Sequence, residues 1–267
     1  MCKTEFARTP VPTSLTLPDG STTTTEEETA SALLNKFFHD DPGQDSAHQR
    51  DLRVQATKRG PPNSQPETYL SKHEVDEIVN LDGKKCPGPD GINGEIVKKV
   101  HERLPTFWLT LSNKCLTLGC FPKEWKKARV IAILKTNRNK LHSIQGYRGI
   151  SLLSISGKCL EKLVTERLNY YLESAGHTPM QQYGFTAGRS TVDAIKAVTE
   201  HISRCRKTGL KCCLLALDTA GAFDNAWHPQ ILARLWKLNC SPNIYGLVED
   251  FLRERTAHVT QGHSVAS

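Results

Sequence analysis

An apolar run that ends abruptly in a carboxylate, residues 214–217 followed by Asp218, constrains this chain more than any other segment. A short apolar run bounded by turn residues predicts a buried strand, so the pattern places Asp218 at the exposed end of that strand. Gly221 and Ala222 follow, and such small residues let another group approach the backbone closely. Two interpretations stay open: the carboxylate binds a hard metal ion, or it caps the turn, as aspartate often does.

The positive charge of the chain is concentrated in one segment. The net charge is +7, and residues 114–148 contain nine lysines and arginines against a single acidic residue, Glu124. Phe121, Trp125 and Tyr147 lie among these cations. A basic segment with interleaved aromatic residues is typical of a surface that binds nucleic-acid phosphates, and a solvated lysine-rich face is the alternative.

Composition and cysteine spacing exclude several classes of protein. No stretch approaches the roughly 18 apolar residues of a membrane span, and the start of the chain lacks the apolar core of a signal peptide, so we expect an intracellular protein without membrane contact. The nine cysteines include no Cys-x-x-Cys pair. We expect most of them to be small core residues in a reducing compartment. We expect no zinc site, because neither Cys115/Cys120 nor His201/Cys205 has a second pair nearby.

Local signals predict mostly helices. We predict that residues 1–65 form an extended lead, one helix and a polar linker, and that residues 66–267 form the globular part. Capping-box patterns begin helices near Thr25 and at Ser71, and Ser241-Pro242 predicts a helix with a side-chain cap. The remaining predicted helices lie at 96–104, 107–118, 160–172, 192–209 and from 229 onward.

Short strands are predicted in two places. Residues 128–134 and 147–153 predict a hairpin joined by a basic loop, with Lys135 and Arg148 near its ends, where both could face a polyphosphate. Residues 256–267 predict two further strands with a turn at Gly262.

The chemistry that fits these features is phosphoryl transfer. The sequence contains no G-x-S-x-G elbow, no Walker A loop and no G-x-G-x-x-G segment after a strand. What remains is one carboxylate at a strand end, a basic segment, and loops that combine aromatic residues with glycine. Phosphoryl transfer with a divalent metal and a long anionic ligand requires this combination, since an enzyme that catalyses it mainly positions groups and neutralises developing charge.

Five segments stand out in the order in which they follow one another: Lys85–Ile92, Trp125-Lys126 leading to Lys135, Tyr147–Leu153, Gln182–Phe185 with Gly188–Thr191, and Leu217-Asp218 with Ala222–Asp224. This order resembles the consecutive blocks of non-long-terminal-repeat retrotransposon reverse transcriptases. The likeness is closest to arthropod site-specific and jockey-like elements, because residues 14–41 also resemble their segment between endonuclease and polymerase.

The resemblance implies an α+β fold, an incomplete right-hand polymerase in which mostly helices surround short antiparallel strands. It implies fingers at about residues 66–205 and the proximal palm at about residues 206–267. No Tyr-x-Asp-Asp box occurs in the sequence. The expectation is therefore that the second aspartate pair, the thumb and any endonuclease domain are missing, and that the chain alone is inactive.

The same resemblance implies roles for individual residues. Asp218 matches the first metal-binding aspartate, with the backbone carbonyl of Thr219 as a further ligand, in a site for two Mg²⁺ ions. Lys135 and Arg148 match the cations that grip the nucleotide triphosphate. Phe223 matches the bulky residue that excludes a 2′-hydroxyl.

A second set of residues is expected to contact template or other nucleic acid: Lys126, Lys127, Arg129, Gly184, Phe185, Arg189 and Ser190. Two departures from the family pattern stand out. Gly149 replaces the usual proline after Tyr-Arg and is expected to loosen the loop that aims Arg148. Thr186 replaces the arginine that usually follows the phenylalanine.

The implied function is RNA-directed DNA synthesis within a retrotransposon polyprotein. The implied partners are an RNA template, a DNA primer or target, deoxynucleoside triphosphates and the remainder of the polyprotein, in nucleus and cytoplasm. Two alternatives stay open: a decayed or host-retained nucleic-acid-binding module without polymerase activity, and a maturase of the group II intron type.

Overall fold

The fold was determined as a computed structural model. It describes residues 11–38, 43–58, 60–61, 64–80, 85–135, 140–219, 221–223, 225–261 and 264–266. No helix among these described residues is both long and apolar enough to cross a membrane. Contacts divide the chain into two units, one comprising residues 1–168 with 223–267 and the other residues 169–222. The larger is called the sheet unit below and the smaller the helical unit.

Helices dominate the described residues and mostly follow the predicted pattern. They are α1 (Glu26–Phe37), α2 (Ala47–Ala56), α3 (Lys72–Val79), α4 (Gly94–Arg103), α5 (Phe107–Leu118), α6 (Ile155–Ser174), α7 (Thr191–Lys207), α8 (His228–Lys237) and α9 (Pro242–Leu252). The hydroxyls of Thr25 and Ser71 cap α1 and α3, which confirms that these helices begin where their capping signals predict. Ser190 caps α7 in the same way, although no cap was predicted there.

Two details of the helix predictions are wrong. The expectation of a single helix in residues 1–65 is wrong, because a capping box of Ser46 and Gln49 begins a second helix there, α2. The predicted side-chain cap of α9 is absent, because the buried Ser241 hydroxyl has no hydrogen-bond partner among the described residues. The proline at the first turn still begins this helix, since its missing N–H would have no intrahelical partner there.

The strands β1 (Lys127–Leu134), β2 (Tyr147–Leu152), β3 (Thr256–Gln261) and β4 (Ser264–Ala266) form one sheet in the order β2-β1-β3-β4. The hairpin of β1 and β2 is antiparallel, as predicted, with Ile133 opposite Arg148 and Leu134 opposite Tyr147. Strand β3 pairs parallel with β1, so the prediction of antiparallel strands alone is wrong and the sheet is mixed. The predicted turn at Gly262 lies outside the described residues.

One face of this sheet is covered by α1. Leu33 and Phe37 of α1 are buried in one cluster with Val130, Tyr147 and Val259 of the sheet. Burial of side chains of this size stabilises the fold by about 1.5–3 kcal/mol each. Side chains alternate along a strand, so the residues between these buried ones project to the opposite face of the hairpin.

Gly149 has a different role from the one expected. It lies within β2 and not in a loop, and a Cβ atom built on it would stand 2.9 Å from the Phe37 ring. The missing side chain therefore makes room for the packing of α1 on the sheet. The expectation that Gly149 loosens the backbone beside Arg148 is wrong, because strand pairing holds that backbone.

The remaining helices of the sheet unit pack in pairs, α2 against α8 and α5 against α9. Gly119 ends α5 with a φ of +59°. A Cβ atom built on Gly119 would lie 3.3 Å from the backbone of Gly246 in α9, so two glycines allow the close approach of these helices.

The helical unit contains the larger prediction error. Residues 210–219, predicted to include a buried strand, have no regular secondary structure in the part of the chain described, and Leu217 is 86% exposed. Helix α7 likewise has no buried residue. A strand requires neighbours that satisfy its backbone groups, and no described strand pairs with this segment.

The prediction that most cysteines are core residues is also wrong. Three of the eight described cysteines are buried, whereas the others are exposed or half-buried. The buried ones are Cys115, Cys159 and Cys240.

Candidate nucleotide and nucleic-acid interface

The hairpin places two cations on the face of the sheet opposite α1. Arg148 lies across from Ile133, and directly paired residues project to the same face. Lys135 follows Ile133 by two positions and therefore shares that face. Its backbone N–H donates to the Gly146 carbonyl at 2.7 Å, which continues the ladder one step beyond β1. Regular strand pairing thus sets the positions of both cations.

Lys135 and Arg148 are both exposed, and neither forms an ion pair with any residue that the structure describes. A third cation, Lys36 of α1, donates to the Tyr147 carbonyl at 2.7 Å and also to the Ile144 carbonyl. Burial, with a contribution from the charge of Lys135, lowers the pKa of Lys36 to about 8. This end of the hairpin therefore has an excess of positive charge that an anion would neutralise.

Sequence reasoning missed Lys36. Its position near the end of α1, one residue before the buried Phe37, places it at the edge of the packed face. Lysines at such positions commonly extend their apolar stem along the core and reach polar groups beyond it. The signal was therefore present, but its target in the hairpin is more than 100 residues away along the chain.

Three further basic residues at the start of β1 differ in whether a phosphate can reach them. Lys126 is buried, and its Nζ lies 2.9 Å from Oδ2 of Asp250 in α9. A cation that is paired inside the fold is not available to phosphates, so the expectation that Lys126 contacts nucleic acid is replaced by a structural role. Lys127 is half-buried and pairs locally with Glu124 at 2.8 Å.

Arg129 lies on the same face of β1 as Lys135, because the two residues are an even number of positions apart. It is half-buried, and its Nε atom is buried without a hydrogen-bond partner among the described residues. A buried donor of this kind costs about 1–3 kcal/mol when it is left unpaired. Arg129 could therefore gain from an anionic ligand.

The predicted template loop is ordered by its own residues. One guanidinium nitrogen of Arg189 donates to the carbonyls of Pro179, Met180 and Gln182 at 2.7–2.8 Å. Ser190 caps α7 in a capping box with Asp193. Both polar side chains therefore have structural roles within the helical unit.

The aromatic residue of this loop is presented to solvent. Phe185 is 95% exposed and has a φ of +56°, which is uncommon for a residue other than glycine. The carbonyl of the neighbouring Gly184 accepts hydrogen bonds from Gln182 at 2.8 Å and from Thr186 at 3.2 Å. An exposed ring on an internally bonded loop is suited to stacking against a base.

The carboxylate of Asp218 is exposed on the irregular segment of residues 210–219. A carboxylate and the Thr219 carbonyl are hard oxygen ligands, which suit Mg²⁺, and an exposed position leaves room for the waters that this ion retains. The donor set therefore fits magnesium as two ligands of an open shell. Phe223, which belongs to the sheet unit, is 77% exposed in the turn that follows, and Asp224 lies outside the described residues.

A mixed helix and sheet fold with an open cationic face is consistent with a domain of the nucleic-acid polymerase class. Residues 127–266 match the family described as reverse transcriptase (RNA-dependent DNA polymerase), and the chain belongs to this family. More particularly, it is a reverse transcriptase domain of the LINE type found in non-LTR retrotransposons, as its relatives indicate.

Three relatives illustrate this likeness. The chain is 33% identical to a probable RNA-directed DNA polymerase from transposon BS of Drosophila melanogaster, over 68% of this chain and 20% of the relative. It is 31% identical to the RNA-directed DNA polymerase from mobile element jockey of the same species, over 72% and 21%. It is 36% identical to the Pol polyprotein of type-1 element R1 of Bradysia coprophila, over 85% and 22%. The chain thus spans about a fifth of the length of these relatives.

Proposed function

We propose that this chain supplies the nucleotide-gripping fingers and the first metal-binding aspartate of a non-LTR retrotransposon reverse transcriptase. In this proposal the fingers correspond to about residues 66–205 and the proximal palm to about residues 206–267. The observation that carries the proposal is the placement of Lys135 and Arg148 on one open face of a paired hairpin, without counter-ions among the described residues.

The two cations would act differently on a triphosphate. The planar guanidinium of Arg148 can donate two parallel hydrogen bonds to phosphate oxygens, which fixes orientation as well as charge. Lys135 supplies a compact point charge on a flexible stem. Both neutralise charge that grows on the phosphates during transfer, which is the main contribution of the protein to this type of reaction.

Asp218 and the Thr219 carbonyl would hold magnesium. When bound, two Mg²⁺ ions activate the primer 3′-hydroxyl and stabilise the departing pyrophosphate. Phe223 would contact the sugar and exclude a 2′-hydroxyl. Because no Tyr-x-Asp-Asp box occurs in the sequence, we expect these 267 residues alone to extend no primer.

The proposed nucleic-acid contacts involve both units. Arg129 and Lys127 would bind phosphates beside the hairpin, where the unpaired Nε of Arg129 supports the assignment. In the helical unit, Phe185 would stack on a template base, beside Gly184. Arg189 and Ser190 would act by shaping this loop, since their side chains are engaged within it. The ligands would be an RNA template and a DNA primer or target, within a polyprotein.

The proposal is tested by titrating the chain with a fluorescent deoxynucleoside triphosphate in the presence of primer–template and Mg²⁺. Loss of a charge-assisted contact of about 1.5–3 kcal/mol predicts that Arg148→Ala weakens nucleotide affinity by roughly ten- to a hundredfold. Arg103→Ala removes an exposed arginine at the end of α4 and serves as the matched control, with affinity unchanged.

Two outcomes separate the proposal from its alternative. Equal nucleotide affinity of Arg148→Ala, Arg103→Ala and the unaltered chain would refute the role of the hairpin. Salt-sensitive RNA binding without any nucleotide binding would favour a nucleic-acid-binding remnant, since phosphate contacts alone produce that salt dependence.

A further inference from the structure

A cluster of soft metal ligands lies at the end of α7, within the helical unit. His201 and Cys205 are one helical turn apart and therefore share a face of the helix. The Nδ1 or Nε2 atom of His201 and the sulfur atoms of Cys205 and Cys212 all lie within 4.8 Å of one another. Among the residues that the structure describes, this is the one histidine, cysteine and carboxylate cluster close enough to hold a metal ion.

The expectation that His201 and Cys205 have no further ligand nearby is wrong, because the turn after α7 brings Cys212 to them. Gly209 has a φ of +72°, and the N–H of Leu210 donates to the Cys205 carbonyl at 2.9 Å. The N–H of Gly209 donates to the Arg206 carbonyl at 3.2 Å. These two bonds form the chain reversal that commonly ends a helix at glycine, and they return Cys212 to the side of Cys205.

The chemistry of the three ligands selects a class of metal. Thiolate and imidazole bind zinc with Zn–S distances of about 2.3 Å and Zn–N distances of about 2.0–2.1 Å. Tetrahedral geometry then requires ligand atoms that are roughly 3.5–4 Å apart, so only small side-chain adjustments are needed from the present spacing. Magnesium is a poor fit, because it prefers oxygen ligands.

We propose that His201, Cys205 and Cys212 bind one Zn²⁺ ion with a fourth position open to solvent. His201 and Cys212 are exposed and Cys205 is half-buried, so an ion can enter directly from water. The ion would join residue 212 to α7 and thereby anchor the irregular segment that leads to Asp218. This site is separate in residues and in ligand chemistry from the proposed magnesium ligands.

Cobalt titration of the reduced 267-residue chain tests the proposal. Co²⁺ bound by two thiolates and one imidazole should show thiolate-to-cobalt absorption at one equivalent, and Zn²⁺ should displace it. Cys205→Ser and Cys212→Ser should each weaken Co²⁺ binding by at least about tenfold, since each removes a ligand atom. Cys120→Ser, which removes an exposed cysteine of the sheet unit, should bind as the unaltered chain does.

Circular dichroism of each variant establishes that helix content is retained, so that lost binding reports the ligand and not unfolding. Absence of thiolate-to-cobalt absorption in the reduced chain would overturn the proposal. Equal Co²⁺ affinity in all variants would overturn it as well. A Cys205–Cys212 disulfide found by peptide mass mapping under reducing conditions would also refute it, because those sulfurs could not then bind metal.

Discussion

Replacing Glu74 by glutamine should remove part of the acid sensitivity of the sheet unit. Arg167 of α6 donates from Nε to Oε1 of Glu74 at 2.6 Å and from a terminal nitrogen to Oε2 at 3.0 Å. Glu74 also accepts from the Ser71 N–H at 2.8 Å in the capping box of α3. The hydrogen bonds from Arg167, ahead of those from Ser71, lower the pKa of Glu74 from its usual 4.5 to about 2.

The direction of the effect follows from this lowered pKa. The carboxylate stabilises the folded state fully above pH 4.5, and that contribution is lost as the pH falls towards about 2. The whole difference corresponds to about 3.4 kcal/mol. Because 32% of the Glu74 side chain is exposed, screening by water reduces it, and we expect about 1.5 kcal/mol.

Urea unfolding measures this contribution. About 1 kcal/mol of the Glu74 stabilisation should be lost between about pH 6 and about pH 3, and Glu74→Gln should lack that part of the pH dependence. Glu77→Gln makes the same change at an exposed position of the same helix and should retain the behaviour of the unaltered chain. If the pH dependence is unaltered in Glu74→Gln, or is lost in Glu77→Gln, the Arg167–Glu74 pair does not supply this stabilisation.

Two further changes test the packing that positions the hairpin. Gly149→Ala should cost about 1–3 kcal/mol in urea unfolding, because its Cβ atom meets the buried Phe37 ring, and Phe37→Leu in the same chain should recover part of the loss. Full stability of Gly149→Ala would contradict this contact. Lys126→Met should cost about 1–3 kcal/mol, because it removes the cation that pairs with Asp250 and leaves this carboxylate only the hydrogen bond from the Phe121 N–H, whereas Lys127→Met should change unfolding by less than about 0.5 kcal/mol. Equal effects of the two lysine substitutions would show that the buried ion pair contributes nothing.

Features set by neighbouring residues could be predicted from the sequence. The caps at Thr25 and Ser71 depend on groups within a few residues, and the structure confirms the helices that they begin. The β1–β2 hairpin was predictable for a similar reason, because its two strands follow one another in the chain with a single basic loop between them. Alternation along those strands then places Lys135 and Arg148 on one face.

Features set by distant residues could not be predicted in this way. The partner of Lys126 is Asp250, which lies more than 100 positions away in the sequence. From the sequence alone, a lysine in a buried ion pair cannot be distinguished from a lysine that is free to bind phosphate. The parallel pairing of β3 with β1 is equally nonlocal. Residues 214–217 have the composition of a strand, but composition does not supply the neighbouring strands that a sheet requires.

In the proposed function, the hairpin face of Lys135 and Arg148 binds the triphosphate of an incoming nucleotide. Photochemical cross-linking can locate this contact, with a deoxynucleoside triphosphate that carries a photoreactive group on its γ-phosphate, followed by peptide mapping. We expect adducts to concentrate in the hairpin at residues 127–152 and unlabelled nucleotide to suppress them. Arg148→Ala should reduce the labelling, whereas Arg103→Ala should not. Adducts spread over other segments, or equal labelling of the two variants, would contradict this contact.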